Sequence, residues 1–538
     1  MTAGAVATAV VLAGCSSTQE ADRSGGQARD AELVTSTPAA AGGIDRISWA
    51  LGSEPLSLDW VYSYDYPPNT VLSNVCESLL RIDESFEPSP GLAEEVANPD
   101  PTTWVYSIRP DVTFHDGSTL TAEDVAYSLN RHLDEEVGSY WSGFYSNVES
   151  VEATGPLEVT VRLTQPDVLF NQMMAVAGGV VGKKEFIEQA GQDHGTPDGG
   201  LMCTGPFELE DWSKGESITL TKFEDYWDPE RAALADEIEF SFLSDAAALA
   251  NALVSGAVDG TYGVPESALT KVQNSDAGDV YYGPQTSTRN LIVADLEGPL
   301  GDVRIRQALS LALDREGFAD AAIPGPSEPS RAVASTLTWG EGEAGQIYAD
   351  AWDALPAAEQ DVERAKELVA EAGVPDEPIV VAQSPHPVQQ VLANEVQAAG
   401  KRIGLDVEIK PIASEAYSAL FSDPEARAGI DLFHTTWYAD VAEPLQIYVN
   451  WQSDNFANYG GWSDAGYDAL VDEALQESDP QARAEMVVDL QEKVTENLLW
   501  IPVDHSANSV FLSDRITGAP ATNAYLYYPW AAQLGARG

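Results

Sequence analysis

Ile47, Trp49 and Leu51 alternate with small or polar positions, the period of a half-buried strand, so order is expected to begin near Ile44. Trp104, Tyr106 and Ile108 repeat that pattern, and Pro110 ends it. Val112 and Phe114 then predict a second short strand, followed by turn chemistry at Asp116-Gly117. Thr121, with Asp124 three residues on, predicts a capped helix whose apolar stripe is Val125 and Leu129. A helix carrying Glu77 is expected over 71–80, and another from Ser244 through Leu249 and Leu253 to a stop at Gly256. In 302–316, Ile305, Leu309, Ala312 and Leu313 share one helical face, and the three arginines predict a solvated, salt-bridged face opposite. Strands and helices then alternate: helix 361–372, strand 379–382, helix 388–399, strands 405–412 and 430–435, helices 464–477 and 480–496, strand 498–503. That alternation predicts a parallel α/β sheet in a domain distinct from the first. From Asp504 the tail reads as irregular and aromatic.

Length and charge narrow the function. A chain of 538 residues can bury more than one core, and 44% hydrophobic residues with 13 Trp and 20 Tyr mark it as globular. Against 86 Asp and Glu stand 28 Lys and Arg, a net charge of −58. Nucleic acid is excluded as a partner, because phosphate binding needs clustered cations, and so is attraction to a bare anionic membrane. The acidic surface reads as a means of solubility, the alternative being a field that draws in cationic ligands and fades beyond roughly 8 Å at physiological salt.

Cysteine usage bears on the compartment. The apolar run at 3–14 is too short for a bilayer, which needs about 20 residues, and reads as the core of a signal peptide. Leu12-Ala13-Gly14-Cys15 resembles a bacterial lipobox, which implies lipidation at Cys15 and a signal peptide over 1–15. Residues 16–43, rich in Ser, Ala, Gly, Thr and Gln, are expected to be a flexible tether. Cys76 and Cys203 then remain as an even pair in an exported protein, open between a disulfide and two buried thiols.

No catalytic motif stands out. The glycines and lysines of 178–184 imitate a phosphate loop with one residue too few and no Ser or Thr after Lys. The six histidines have no ligand spacing, so neither a metal nor a cofactor is expected. The candidate site is instead 437–444, Trp-Tyr-Ala-Asp-Val-Ala-Glu-Pro, just past an apolar strand. In α/β sheets ligands gather beyond the carboxyl ends of strands. Trp437 would supply a flat wall and Asp440 a fixed anion suited to an α-ammonium, the alternative being an aromatic-capped loop at a sheet edge.

Several of these segments carry a resemblance. The string 104–131, Glu54-Pro-Leu-Ser-Leu-Asp59, Glu77-Ser-Leu-Leu80, Cys203-Thr-Gly-Pro-Phe207 with Tyr226-Trp227, 302–316 and 437–444 resemble, in order, the family 5 extracellular solute-binding proteins of ABC importers. The resemblance implies an α/β periplasmic-binding-protein-like type II (cluster C) fold with two lobes and a hinge. It places lobe I at 44–290 with a peripheral subdomain at about 85–200, lobe II at 291–504, and a return to lobe I at 505–538. Two strands are expected to cross between lobes, near 290–293 and 505–510, and ligand closure follows from such a hinge.

By the same resemblance Asp440 anchors a ligand's amino terminus and Trp437 lies beside the ligand. Tyr438 and Ala439 supply backbone contacts, and Val441 stands where many oligopeptide binders carry an aromatic. Tyr140 and Trp141 take the place of a cleft aromatic, and Glu54 and His505 lie near the lobe interface. The implied protein is a monomer anchored by lipid to the outer face of the cell membrane, which passes peptides to an ABC permease. The alternatives are the same fold holding a di- or oligosaccharide, with Trp437 on a sugar face, and a secreted acidic hydrolase using paired carboxylates.

Overall fold

Ile44–Leu51 lies between two parallel partners, Ala235–Phe242 and Gly260–Tyr262, and is buried on both faces from Trp49 to Leu51. It is central to a seven-stranded sheet ordered Phe207–Ser213, Ser217–Lys222, Ala235–Phe242, Ile44–Leu51, Gly260–Tyr262, Asn508–Ser513, Gly278–Gly283. The computed structural model describes residues 29–538 apart from Ser85, Glu87 and Glu341; the apolar run, Cys15 and residues 16–28 lie outside the described residues.

Order begins before Ile44. Val34 N–H donates to Tyr282 O, the Thr37 amide and hydroxyl both donate to Ala519 O, and Ala41 N–H donates to Ala536 O. The expected tether over 16–43 is therefore corrected at its C-terminal end. Backbone pairing with the sheet edge and the tail fixes a stretch whose composition suggested none.

A four-stranded antiparallel sheet, Ala93–Asp100, Thr103–Ile108, Glu158–Leu163, Val148–Gly155, forms the peripheral layer. Tyr106 and Ile108 point inward as the alternation predicts. In place of a second strand, only a bridge between Thr113 and Thr119 spans the Asp116-Gly117 turn, where Gly117 has φ +79°. Thr121 and Asp124 complete a reciprocal capping box on helix Ala122–Asn130.

The helix expected over 71–80 is displaced. It runs Tyr66–Val75, capped by Asp65 with Pro67 and Pro68 in its first turn, and stops as Cys76 turns extended into a disulfide with Cys203. Glu77 falls in the short strand Glu77–Ser78 instead. The helix Ala246–Ser255 starts one residue later than expected, with Asp245 as its cap, and closes at left-handed Gly256.

The second sheet is ordered Ser327–Pro329, Trp500–Ser506, Ser287–Val293, Leu432–Tyr438, Ile379–Gln383, Val407–Pro411. It is mixed rather than parallel. Ile379–Gln383 is parallel to both its neighbours through the crossover helix Pro387–Ile403, while the other pairings are antiparallel. Helices Val303–Ala312, Val362–Ala372 and Pro387–Ile403 pack into one core, and Ala465–Gln476 and Pro480–Asn497 into another. The arginine face in 302–316 is only partly solvated. Arg304 pairs with Asp302 at the surface, but Arg306 and Arg315 are buried and donate to carbonyls of Leu300, Gly301 and Asn497, and of Ser310 and Pro502.

The chain passes between sheets twice, at 284–286 and at Ala507, and Gln285 Nε2 ties the crossings together by donating to Ser506 O at 2.5 Å. The first crossing precedes the expected 290–293. The tail is regular as far as Ser513, because Asn508–Ser513 pairs with two strands of the first sheet. Beyond it, short turns pack Tyr525, Leu526, Tyr527, Tyr528 and Trp530 into the first core.

Candidate functional site

Leu432–Tyr438 ends at the boundary between the two lobes, and the residues after it are divided between their cores. Trp437 and Ala439 pack into the second lobe, with the Trp437 ring 5.3 Å from that of Trp500. Tyr438, Val441 and Ala442 pack into the first. Val441 is therefore a buried interlobe contact, which explains an aliphatic residue there without reference to a ligand.

Asp440 lies at the turning point. Pro444 opens the short helix Leu445–Tyr448, whose Gln446 folds back over the loop. Gln446 Oε1 accepts from the Asp440 and Val441 amides at 2.9 and 3.3 Å, and its Nε2 donates to Asp440 Oδ2. From the first lobe, Tyr527 donates its hydroxyl to Asp440 Oδ1 at 2.5 Å. None of the ion pairs among the described residues involves Asp440. Burial raises its carboxyl to about 6, against the opposing pull of the Tyr527 and Gln446 hydrogen bonds. The same burial, with Asp440's charge added, pushes the Tyr438 and Tyr527 phenols well up.

Four tyrosines from different elements feel that carboxylate: Tyr66 at the start of the first-lobe helix, Tyr140 from the periphery, Tyr438 and Tyr527. Tyr438 reaches across the boundary to donate to Tyr64 O at 2.8 Å. Tyr140, 45% exposed, stacks on Tyr64 with ring centroids 4.6 Å apart. Trp141 is buried behind it and meets Tyr527 edge-on at 6.4 Å. Tyr438, Asp440, Tyr140 and Trp141 are thus brought into one neighbourhood, while Trp437 packs against Trp500 in the second core.

Three expected site residues have other employment. Ala439 is buried and its backbone is bonded to Thr286, whose hydroxyl donates to Ala439 O at 2.6 Å and whose carbonyl accepts from Ala439 N. Glu54 Oε1 accepts from Trp212 Nε1 and Gly215 N, both at 3.0 Å, pinning a hairpin of the first sheet. His505 bonds Ser330 at 2.8 Å and packs edge-on to Trp352, and burial lowers its pKa to about 4. The phosphate-loop imitation at 178–184 is packing. A Cβ on Gly179 would meet Met174 backbone at 2.2 Å, and one on Gly182 the Trp60 ring at 2.5 Å.

Sequence reasoning missed Tyr527, Gln446, Tyr64 and Tyr66. Gln446 lies within two residues of the motif, and its side-chain amide was a legible loop clamp. Tyr527 lies 87 residues beyond Asp440 in a tail without periodicity, so no spacing signal links them.

Two lobes joined by paired crossings, with an unpaired carboxylate and aromatic side chains at their boundary, define a solute-binding protein of the two-lobe type II class. The chain belongs to the bacterial extracellular solute-binding proteins, family 5, whose family model matches residues 87–459. It is 24% identical over 501 residues to the periplasmic oligopeptide-binding protein OppA of Salmonella typhimurium, covering 88% of this chain and 90% of that one. The substrate-binding protein CtaP of Listeria monocytogenes superposes with a TM-score of 0.80 at 22% identity, covering 92% of this chain and 99% of CtaP. The oligopeptide-binding protein AppA of Bacillus subtilis, solved with a nonapeptide, gives 0.77 at 20% identity, covering 93% of this chain and 100% of AppA. No helix among the described residues is long and apolar enough to cross a membrane.

Proposed function

We propose that this protein captures di- or oligopeptides between its lobes and delivers them to an ABC permease, without covalent chemistry. One observation carries the reading: Asp440 is a desolvated carboxylate held by two neutral donors, with no cation paired to it among the described residues. A peptide's α-ammonium supplies that charge through a charge-assisted bond, which is stronger than a neutral one. Trp437, Tyr438, Tyr140 and Trp141 give the apolar surroundings in which such a bond counts, and OppA and AppA add weight for a peptide over another cation. Trp437 packs against Trp500, a placement that fits a wall beside the ligand.

The proposed setting is extracytoplasmic, with a monomer tethered through lipidated Cys15 and the permease as its protein partner. The crossings at 284–286 and Ala507 are the proposed hinge about which the first lobe, with its 508–538 return, and the second lobe, 287–506, would move. Replacing Asp440→Ala is expected to weaken peptide binding by at least about 2 kcal/mol, the scale for losing a charged hydrogen bond. Titration calorimetry with free and N-acetylated forms of one peptide checks it. Equal affinity of the two forms, or an unchanged affinity in the variant, removes Asp440 from the site.

A further inference from the structure

Asp440 joins two lobes and yet carries a charge that neither lobe balances. Its own lobe offers Gln446, a neutral amide, and the first lobe offers the Tyr527 phenol. Every other titratable group facing it is a tyrosine or an acid. Tyr438 comes from its own strand, Tyr66 from the first-lobe helix and Tyr140 from the periphery, and Asp65 adds negative charge beside Tyr66 and Tyr140. Glu443, three residues on, already holds Arg483 at 3.0 Å, and that guanidinium also donates to Glu477 O. The lobes meet directly over this group, through Tyr527 on Asp440, Tyr438 on Tyr64, and Val441 in the first core.

Bringing the lobes together over an ionised carboxylate strips it of water without a counter-charge, which disfavours closure. A proton removes the charge, and a cationic ligand balances it. We propose that Asp440 gates lobe closure by charge: the lobes close over it when it carries either a proton or the ligand's cationic group, and the two compete for it. The ligand half rests on Asp440 being the ammonium anchor; the proton half rests only on the interlobe contacts.

The direction is fixed by linkage. With the lobes together the carboxyl lies near 6, and with the lobes apart it returns toward its ordinary value of 3.8. Closure without ligand is therefore favoured as pH falls through about 6 and disfavoured above it. Tyr527 opposes this by bonding the ionised form across the boundary, so its phenol limits how far the lobes part at high pH.

Small-angle X-ray scattering of the full chain, dialysed free of peptide, tests the gate between pH 8 and pH 4.5. The radius of gyration is expected to contract as pH falls across this range. Asp440→Asn is expected to be contracted at pH 8 already, with that step absent. Acids elsewhere are common to both proteins, so the difference between the two curves isolates Asp440. Tyr527→Phe, which keeps the ring and removes the interlobe donor to the ionised form, is expected to be more expanded than wild type at pH 8 and to reach the same radius at pH 4.5, and it decides the matter if Asp440→Asn does not fold. A radius indifferent to pH, identical steps in wild type and Asp440→Asn, or a step in Tyr527→Phe no larger than that of wild type overturns the proposal. Because the scattering uses no ligand, a protein that shows the step but binds no peptide keeps the gate and loses the peptide reading.

Discussion

Asp59 shows how much a single buried carboxylate can do when its partners are charged. Both oxygens receive the Arg131 guanidinium, at 2.9 and 2.6 Å, and His194 lies 3.2 Å away. Burial alone would raise its pKa, but the His194 and Arg131 hydrogen bonds outweigh it and hold the carboxyl at about 2. A carboxylate depressed in the folded state contributes stability above its unfolded pKa of 3.8 and loses it as pH falls toward 2. The shift corresponds to about 2 kcal/mol at neutral pH. Asp59→Asn should therefore unfold at lower urea at pH 7, with the gap to wild type closing between about pH 4 and pH 2. Asp440 is the opposite case, raised instead of lowered, because burial outweighs partners that are both neutral. Glu77 belongs with Asp59. It accepts from Arg81, Thr204, Tyr226 and Trp227, and its charge is consumed inside the first lobe.

Elements here are positioned by what happens at their ends. The helix Tyr66–Val75 starts beside the site with Tyr66 and ends at Cys76, whose disulfide to Cys203 spans 127 residues of sequence with 4.9 Å between Cα atoms. Gly205 N–H donates to Val75 O in the same corner, and a Cβ at Gly205 would meet that oxygen at 2.6 Å. Chain-entropy reasoning gives such a long closed loop about 4–5 kcal/mol. The Cys76→Ala, Cys203→Ala double variant should accordingly melt several degrees lower in calorimetry, and equal melting temperatures would mean that packing alone holds the corner. Cysteine counting left these two positions as a pair, open between a disulfide and two thiols; the helix end that brings them together was misplaced, because a run of buried polar and small residues at 66–75 has little helical periodicity.

Across the described residues, the two lobes share two covalent crossings, so their relative placement depends on noncovalent contacts, such as those around 438–442 and of Leu169 in the second core, and on solution conditions. A net charge of −58 repels itself throughout. Salt shortens the range of that repulsion from roughly 30 Å at 0.01 M to roughly 3 Å at 1 M. Melting temperature should rise with sodium chloride across that range and rise equally with potassium chloride. A fall would mean that attractive ion pairs outweigh the repulsion.

The sequence by itself determined the elements with local causes: the capping box at Thr121, the glycine stop at Gly256, and the alternating strands and helices beyond 361. Each depends on residues a few positions apart, whose periodicity or cap chemistry survives in a linear reading. Only the tertiary structure decided which charges are spent. Glu54, His505 and Ala439 looked available until hairpin, strand and crossing neighbours engaged them. Tyr527 looked like tail until the return of the chain to the first lobe set its hydroxyl 2.5 Å from Asp440. Hydrogen bonds between residues far apart in the chain leave no period to read, and whether a carboxylate is balanced depends on every element packed around it.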